Sequence, residues 1–185
     1  MAVPEPVAKP VFRVLGVDPG TRVAGWGVID VRGSKASLVS AAAIRTRADS
    51  VPGRLAELHA ALVAVVAKWK PACVAIETPF FGRNANSALV VGMARGIAVL
   101  TAAEAGLPVH EYPPATIKKA VVGRGGASKE QVAAMVRVIL GLREVPKPAD
   151  VTDALAIALT HIHRAGAPPG SPVGRRGGSP SRSRS

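Results

Sequence analysis

Acid is scarce in this chain. Its 185 residues carry 12 Asp+Glu against 24 Lys+Arg, a formal net charge of +12. A surplus of that size points to a polyanionic partner, either nucleic acid or an anionic membrane surface. Cysteine is scarcer still. Cys73, inside the apolar run CVAI, is the only one, which excludes an internal disulfide. It has no neighbours at metal-ligand spacing, so core packing is the role expected of it. Long apolar runs are missing too: none approaches the ~20 residues of a membrane span, and the most apolar stretch, 85–105, is interrupted by Asn86, Arg95 and Glu104. The start, MAVPEPVAKP, is proline-rich without an apolar core, so no signal peptide is expected. These absences favour a reducing, cytoplasmic setting and no membrane. Internal repeats are also absent.

What is present suits one domain with loose ends. Hydrophobic residues make up 48% of the chain, enough for a sizeable core. Residues 1–10 read as a flexible arm, 11–165 as the folded domain, and 166–185, with four Arg and no acid, as a disordered basic tail. Such a tail could touch nucleic acid weakly or simply stay solvated. Within the domain, Val11 to Asp18, Val23 to Val31 and Ala36 to Ile44 read as three strands joined by short turns, an antiparallel meander. The period then lengthens: Leu55, Leu58, Leu62, Val65, Val66 and Trp69 fall on one helical stripe. A short buried strand, Cys73 to Ile76, ends in Glu77. A long helix is expected from Asn84 to Ala105, stopped by Gly106, and then a strand from Val109 to Tyr112. Pro113-Pro114 open a short helix, Gly123 to Gly126 form a loop, and Ser128 caps a helix through Leu140 with Gln131 in the capping-box position. A last helix is expected from Ala149 to Arg164. Together these predict an α/β layered fold, a mixed sheet covered by helices.

Four of the twelve acids stand apart from helix faces and loops. Asp18 and Glu77 each end a buried strand, and Asp150 and Asp153 lie at i and i+3 near the start of the last helix. Three have an ordinary reading: Asp18 as a cap for the Pro-Gly-Thr turn, Glu77 as the partner of an Arg, Asp150 as a dipole-favoured acid in a first turn. Asp153 is harder to dismiss, since Leu155, Ala156 and Ile157 follow it in a strongly apolar helix. In layered α/β folds, however, sites form at strand ends. Carboxylates gathered there repel one another and need a cation, and an all-oxygen set suits Mg²⁺ or Mn²⁺. Two such ions about 3.5–4 Å apart support phosphodiester hydrolysis. A basic surface to hold nucleic acid around an acidic pocket to hold metal fits that chemistry.

Four blocks, DPGTRVAGWGVI, ETPFFGRNANSALVVGMARG, VVGRGGASKEQVAAMV and DVTDALAIALTHIH, together resemble the RuvC-type Holliday junction resolvases, in family order, from about Val11 to Arg164. The resemblance implies a ribonuclease-H-like fold, a homodimer, and metal-dependent nicking of two symmetric strands of a four-way DNA junction. It implies that Asp18, Glu77, Asp150 and Asp153 are the catalytic acids, holding two Mg²⁺ per site with Mn²⁺ able to substitute. It implies that Lys118 and Lys129 approach the DNA backbone near the metals, where charge stabilisation is useful. Phe80 matches a family phenylalanine that helps unstack junction bases. Aromatics are only 3% of the chain, so an adjacent pair beside a candidate acid has a plausible stacking role; Phe80 is expected to be exposed and Phe81 tucked inward. Arg83 and Arg124 lie in loops as phosphate contacts, and Lys119 is a DNA contact or surface charge. Recruitment by a branch-migration motor rests on the resemblance alone. His161 and His163 are read as structural or solvated.

Other readings differ in kind. VDPGT also resembles the first phosphate-binding loop of actin-like kinases and chaperone ATPases, but those need a second such domain and phosphate loop, for which this chain is short. A non-catalytic junction-binding module would not require all four acids. A relative acting on RNA or RNA–DNA hybrids would keep them.

Overall fold

The structure, a computed structural model, describes residues 11–78 and 85–165. Phe80, Phe81, Arg83 and Asn84, with the N-terminal arm and the basic tail, lie outside the described residues. The elements run β1 (Phe12–Asp18), β2 (Val23–Arg32), β3 (Lys35–Arg45), α1 (Val51–Trp69), β4 (Cys73–Glu77), α2 (Ala85–Glu104), β5 (Val109–Tyr112), α3 (Pro114–Val122), α4 (Lys129–Ile139) and α5 (Ala149–Ala165). The strands form one sheet in the order β3-β2-β1-β4-β5. β1, β2 and β3 pair antiparallel, as the short turns require, and β4 and β5 join parallel to β1 through helical crossovers.

Alternation along the strands sorts the core into two layers. Leu15, Val17, Val74 and Ile76 face one side and pack with Leu58, Leu62 and Val65 of α1 and Ala94, Ala98 and Ala102 of α2. Val14, Cys73 and Ala75 face the other side and pack with α5, backed by α3 and α4. Helices therefore cover both faces. α5 is the central buried helix, with Leu155, Ile157 and Leu159 fully enclosed. It lies unusually close to the sheet. A Cβ on Gly16 would be driven into the carbonyl of Ala154, and one on Gly25 into that of Asp150. Glycine at these two strand positions lets the helix backbone rest on the strand backbone.

Boundaries differ from the sequence reading by a residue. β1 begins at Phe12 rather than Val11, and β3 reaches Lys35 and Arg45. α4 stops at Ile139, with Leu140 as its C-cap and Gly141 at φ 62° turning the chain away. The capping box at Ser128 is formed as expected.

Candidate active site

Two strand ends bring the first two acids together. The parallel register sets Val17 beside Ile76, so the next residues, Asp18 and Glu77, are neighbours at the carboxyl ends of β1 and β4. By alternation they share the face of Gly16 and Ala75, the face α5 covers. Asp18 pairs with Gly25 across β1 and β2, and the close seat of Asp150 on Gly25 puts the first turn of α5 over that spot. Asp153, one turn on, borders a hollow of about 240 Å³ with Glu77, Lys118, Lys129, Pro114 and Ile117. Missing side chains at Gly16 and Gly25 thus decide where Asp150 and Asp153 stand.

The electrostatics report the crowding. Burial, and then the charges of Asp153, Glu77 and Asp150, raise the Asp18 carboxyl to about 7, with Lys129 opposing. Burial and then Asp153 raise Glu77 as well, against Lys129 and Lys118. No hydrogen bond contributes to the balance on Asp18. A turn-capping Asp would accept backbone N–H groups and be pushed the other way, which weighs against the alternative reading of Asp18 as a turn cap. Lys129 opens α4, where the Ser128 cap fixes the first turn. Its Nζ donates to Asp153 Oδ2 at 3.1 Å, and that bond raises the lysine.

Not every expected residue meets here. Lys119 points elsewhere and lines a separate hollow with Ala115, Thr116, His163 and Arg164. Arg124 is exposed in the loop after α3. His163 Nδ1 pairs with the Ala120 carbonyl at 3.0 Å, and His161 is buried against Tyr112; neither meets the acids.

The sequence reading missed a second cluster. Among the described residues, the trio of His, Cys, Asp or Glu donors whose ligand atoms all lie within 4.8 Å of one another is Cys73, His110 and His161. It sits where β4 begins and α5 nears its end, away from the acids. Burial pushes the Cys73 thiol up to about 11 and, with His110, pushes His161 down to about 4, so both groups are neutral. Their wide separation in sequence hid them. The usable signal was alternation on β4, which sets Cys73 on the α5 face.

A family model, crossover junction endodeoxyribonuclease RuvC, matches residues 14–161. The protein of that name from Heliobacterium modesticaldum is 50% identical over 151 residues, 81% of this chain and 93% of its own length. The Thermus thermophilus RuvC structure aligns with a TM-score of 0.77 at 42% identity, over 83% of this chain and 95% of that one. The T. thermophilus RuvC in complex with Holliday junction substrate aligns at 0.79 and 43%, over 83% and 94%. The mixed sheet covered on both faces is thus the ribonuclease-H-like fold expected of such proteins. With half of the 151 aligned residues identical to a relative along 93% of that relative's length, and the family pattern running through the strand-end acids to the last helix, this chain belongs to the RuvC family of crossover junction endodeoxyribonucleases.

Proposed function

We propose that this chain resolves four-way DNA junctions during recombination and repair. It would act in the cytoplasm as a homodimer that cuts two symmetric strands, using two Mg²⁺ per site, or Mn²⁺ in their place. The observation that carries the proposal is the gathering of acids: burial and then the charges of Asp153, Glu77 and Asp150 act on Asp18, and Glu77 and Asp153 line a hollow that also presents Lys118 and Lys129.

The donor chemistry fits the metal. Asp18, Glu77, Asp150 and Asp153 offer only hard oxygen atoms, the set that Mg²⁺ prefers. Burial, and then their mutual repulsion, raise Asp18 to about 7, and the repulsion is what a divalent cation would relieve. Bound there, the metal supplies a more acidic attacking water and charge neutralisation at the phosphate. The remaining work belongs to side chains. Asp18 and Glu77, fixed on paired strands, provide the rigid half of the cage, and Asp150 and Asp153 close it from the helix. Lys129 exchanges Asp153 for the scissile phosphate as DNA arrives, and Lys118 adds charge beside it. Phe80, and Phe81 beside it in sequence, serve DNA binding, Phe80 by stacking on unpaired bases near the crossover. Arg83, Arg124 and Lys119 hold backbone phosphates outside the site. A branch-migration motor is the proposed partner beyond DNA.

The test is a nicking assay on a four-way junction with Mg²⁺. Asp18→Asn is expected to bind the junction as tightly as the parent and not to cut it. Full cutting by the variant would overturn the assignment of the acids. Junction binding by the unaltered chain with no nicking in either metal would favour a non-catalytic module. Competition with duplex and RNA–DNA hybrid separates the junction reading from a nuclease acting on RNA.

A further inference from the structure

We propose that Cys73, His110 and His161 form a zinc-binding site, separate from the carboxylate site and at the opposite end of the α5 face of the sheet. Three observations carry it. Their ligand atoms already lie within 4.8 Å of one another. They come from three elements, β4, β5 and α5, so the grouping is tertiary and not an accident of one helix face. And the Tyr112 hydroxyl pairs with His161 Nδ1 at 2.7 Å, a contact that fixes the ring as an outer-shell carboxylate, carbonyl or water fixes a metal-binding imidazole.

The donor set selects the metal. One thiolate and two imidazoles suit Zn²⁺ in tetrahedral geometry, with water in the fourth position, and suit Mg²⁺ poorly. The two sites therefore differ in kind: oxygen donors at the carboxyl ends of the strands, sulfur and nitrogen here. With Nδ1 engaged by Tyr112, Nε2 is the His161 nitrogen left for the ion, and Nδ1–H then donates to the tyrosine oxygen. Binding exchanges the Cys73 S–H bond for S–Zn and releases one proton to solvent.

The residues must close slightly. At Zn–S about 2.3 Å and Zn–N about 2.0–2.1 Å, tetrahedral donors stand about 3.3–3.7 Å apart. His110 is the ligand that moves. Its ring stacks on His161 at 4.2 Å between centroids, 30° from parallel, and must turn edge-on to the ion. It can do so because it is half-buried, on an edge strand with β4 as its one neighbour, whereas Cys73 and His161 are 1% and 4% exposed. Ligation would clip this four-residue edge strand to the central helix. The strand runs directly into α3, which carries Lys118.

Co²⁺ is the probe, with excess Mg²⁺ present to occupy the carboxylates. The full chain is expected to retain one Zn²⁺ after dialysis. Its Co²⁺ form should show a near-ultraviolet thiolate charge-transfer band and the intense visible bands of a tetrahedral ion. Cys73→Ser should abolish the charge-transfer band. His110→Ala, at a half-exposed position that should still fold, should weaken Zn²⁺ binding at least tenfold and remove the rise in Tm that Zn²⁺ gives the parent. Tyr112→Phe should weaken binding about 10–100-fold. No charge-transfer band in the folded parent, or Zn²⁺ retention unchanged in both Cys73→Ser and His110→Ala, would overturn the site and leave a stacked histidine pair in a core corner. A missing sulfur band leaves the carboxylate reading untouched, since oxygen ligands cannot give one, and Zn²⁺ retained by both variants would be held by other donors.

Discussion

At Asp18, burial and three like charges raise the carboxyl to about 7 from a reference of 3.8, and only Lys129 pulls it down. The folded state therefore binds a proton more tightly than the unfolded chain does. In EDTA, this residue's contribution to stability is complete below about pH 4 and is lost as pH rises through about 7. Glu77, shifted the same way, adds to the loss. Asp18→Asn should flatten that decline, so that in EDTA at pH 8 the variant unfolds at higher urea than the parent, and Mg²⁺ should narrow the gap. Equal midpoints at pH 8 would mean that Asp18 is not under charge strain. Gly25 tests placement rather than charge. Gly25→Ala would push Asp150 off its seat, costing about 1–3 kcal/mol in urea denaturation. It should reduce nicking far more than junction binding; an active, fully stable variant would show that α5 need not sit so close. Asp18 and Glu77 stood out in the sequence because a carboxylate ending an apolar run has few inexpensive explanations, and Asp150 and Asp153 by their i, i+3 spacing at the start of the last helix. The Cys73 cluster was not, because only the pairing of β4 with β5 and the packing of α5 bring its members together.

The elements themselves were readable wherever local chemistry and tertiary packing agree. The β1–β2–β3 meander follows from short turns between apolar runs, and α4 from a Ser128/Gln131 capping box that forms as written. Less legible were the strand ends and the irregularity between Val28 and Ile29 where β2 meets β3, since pairing, not propensity, fixes register. α4 also shows how an element sets a functional side chain. Ser128 Oγ accepts from Gln131 N at 3.3 Å, and the Ser128 amide donates to Gln131 Oε1 at 3.0 Å. This holds the first turn, from which Lys129 reaches Asp153. Ser128→Ala should cost about 1 kcal/mol of stability through the lost cap and, by loosening that turn, lower kcat more than junction affinity. Urea denaturation and single-turnover nicking measure the two effects. A stability loss with unchanged kcat would make the cap purely structural and leave Lys129 placed by other contacts.

For the whole molecule, the proposed paired cuts would require two active sites, and the surface suggests how two chains of the proposed homodimer would meet. α2 buries Ala94, Ala98 and Ala102 against the sheet and α1. Its other side leaves Leu89, Met93 and Leu100 exposed at 60%, 41% and 47%. With Gly92 and Gly96 between them, where an added Cβ would meet nothing, these residues make an apolar stripe at i, i+4 and i+11. No helix of the described residues is long and apolar enough to cross a membrane. Burying one such leucine is worth about 1.5–3 kcal/mol, and a symmetric interface counts every contact twice. A charge placed there is buried twice as well. Leu100→Glu should therefore shift the protein from dimer to monomer at micromolar concentration in sedimentation analysis. On a symmetric junction it should turn coupled double nicks into slow single nicks, while the carboxylate site of each chain stays intact. A Leu100→Glu protein that still sediments as a dimer and still cuts in pairs would place the contact between copies on another surface.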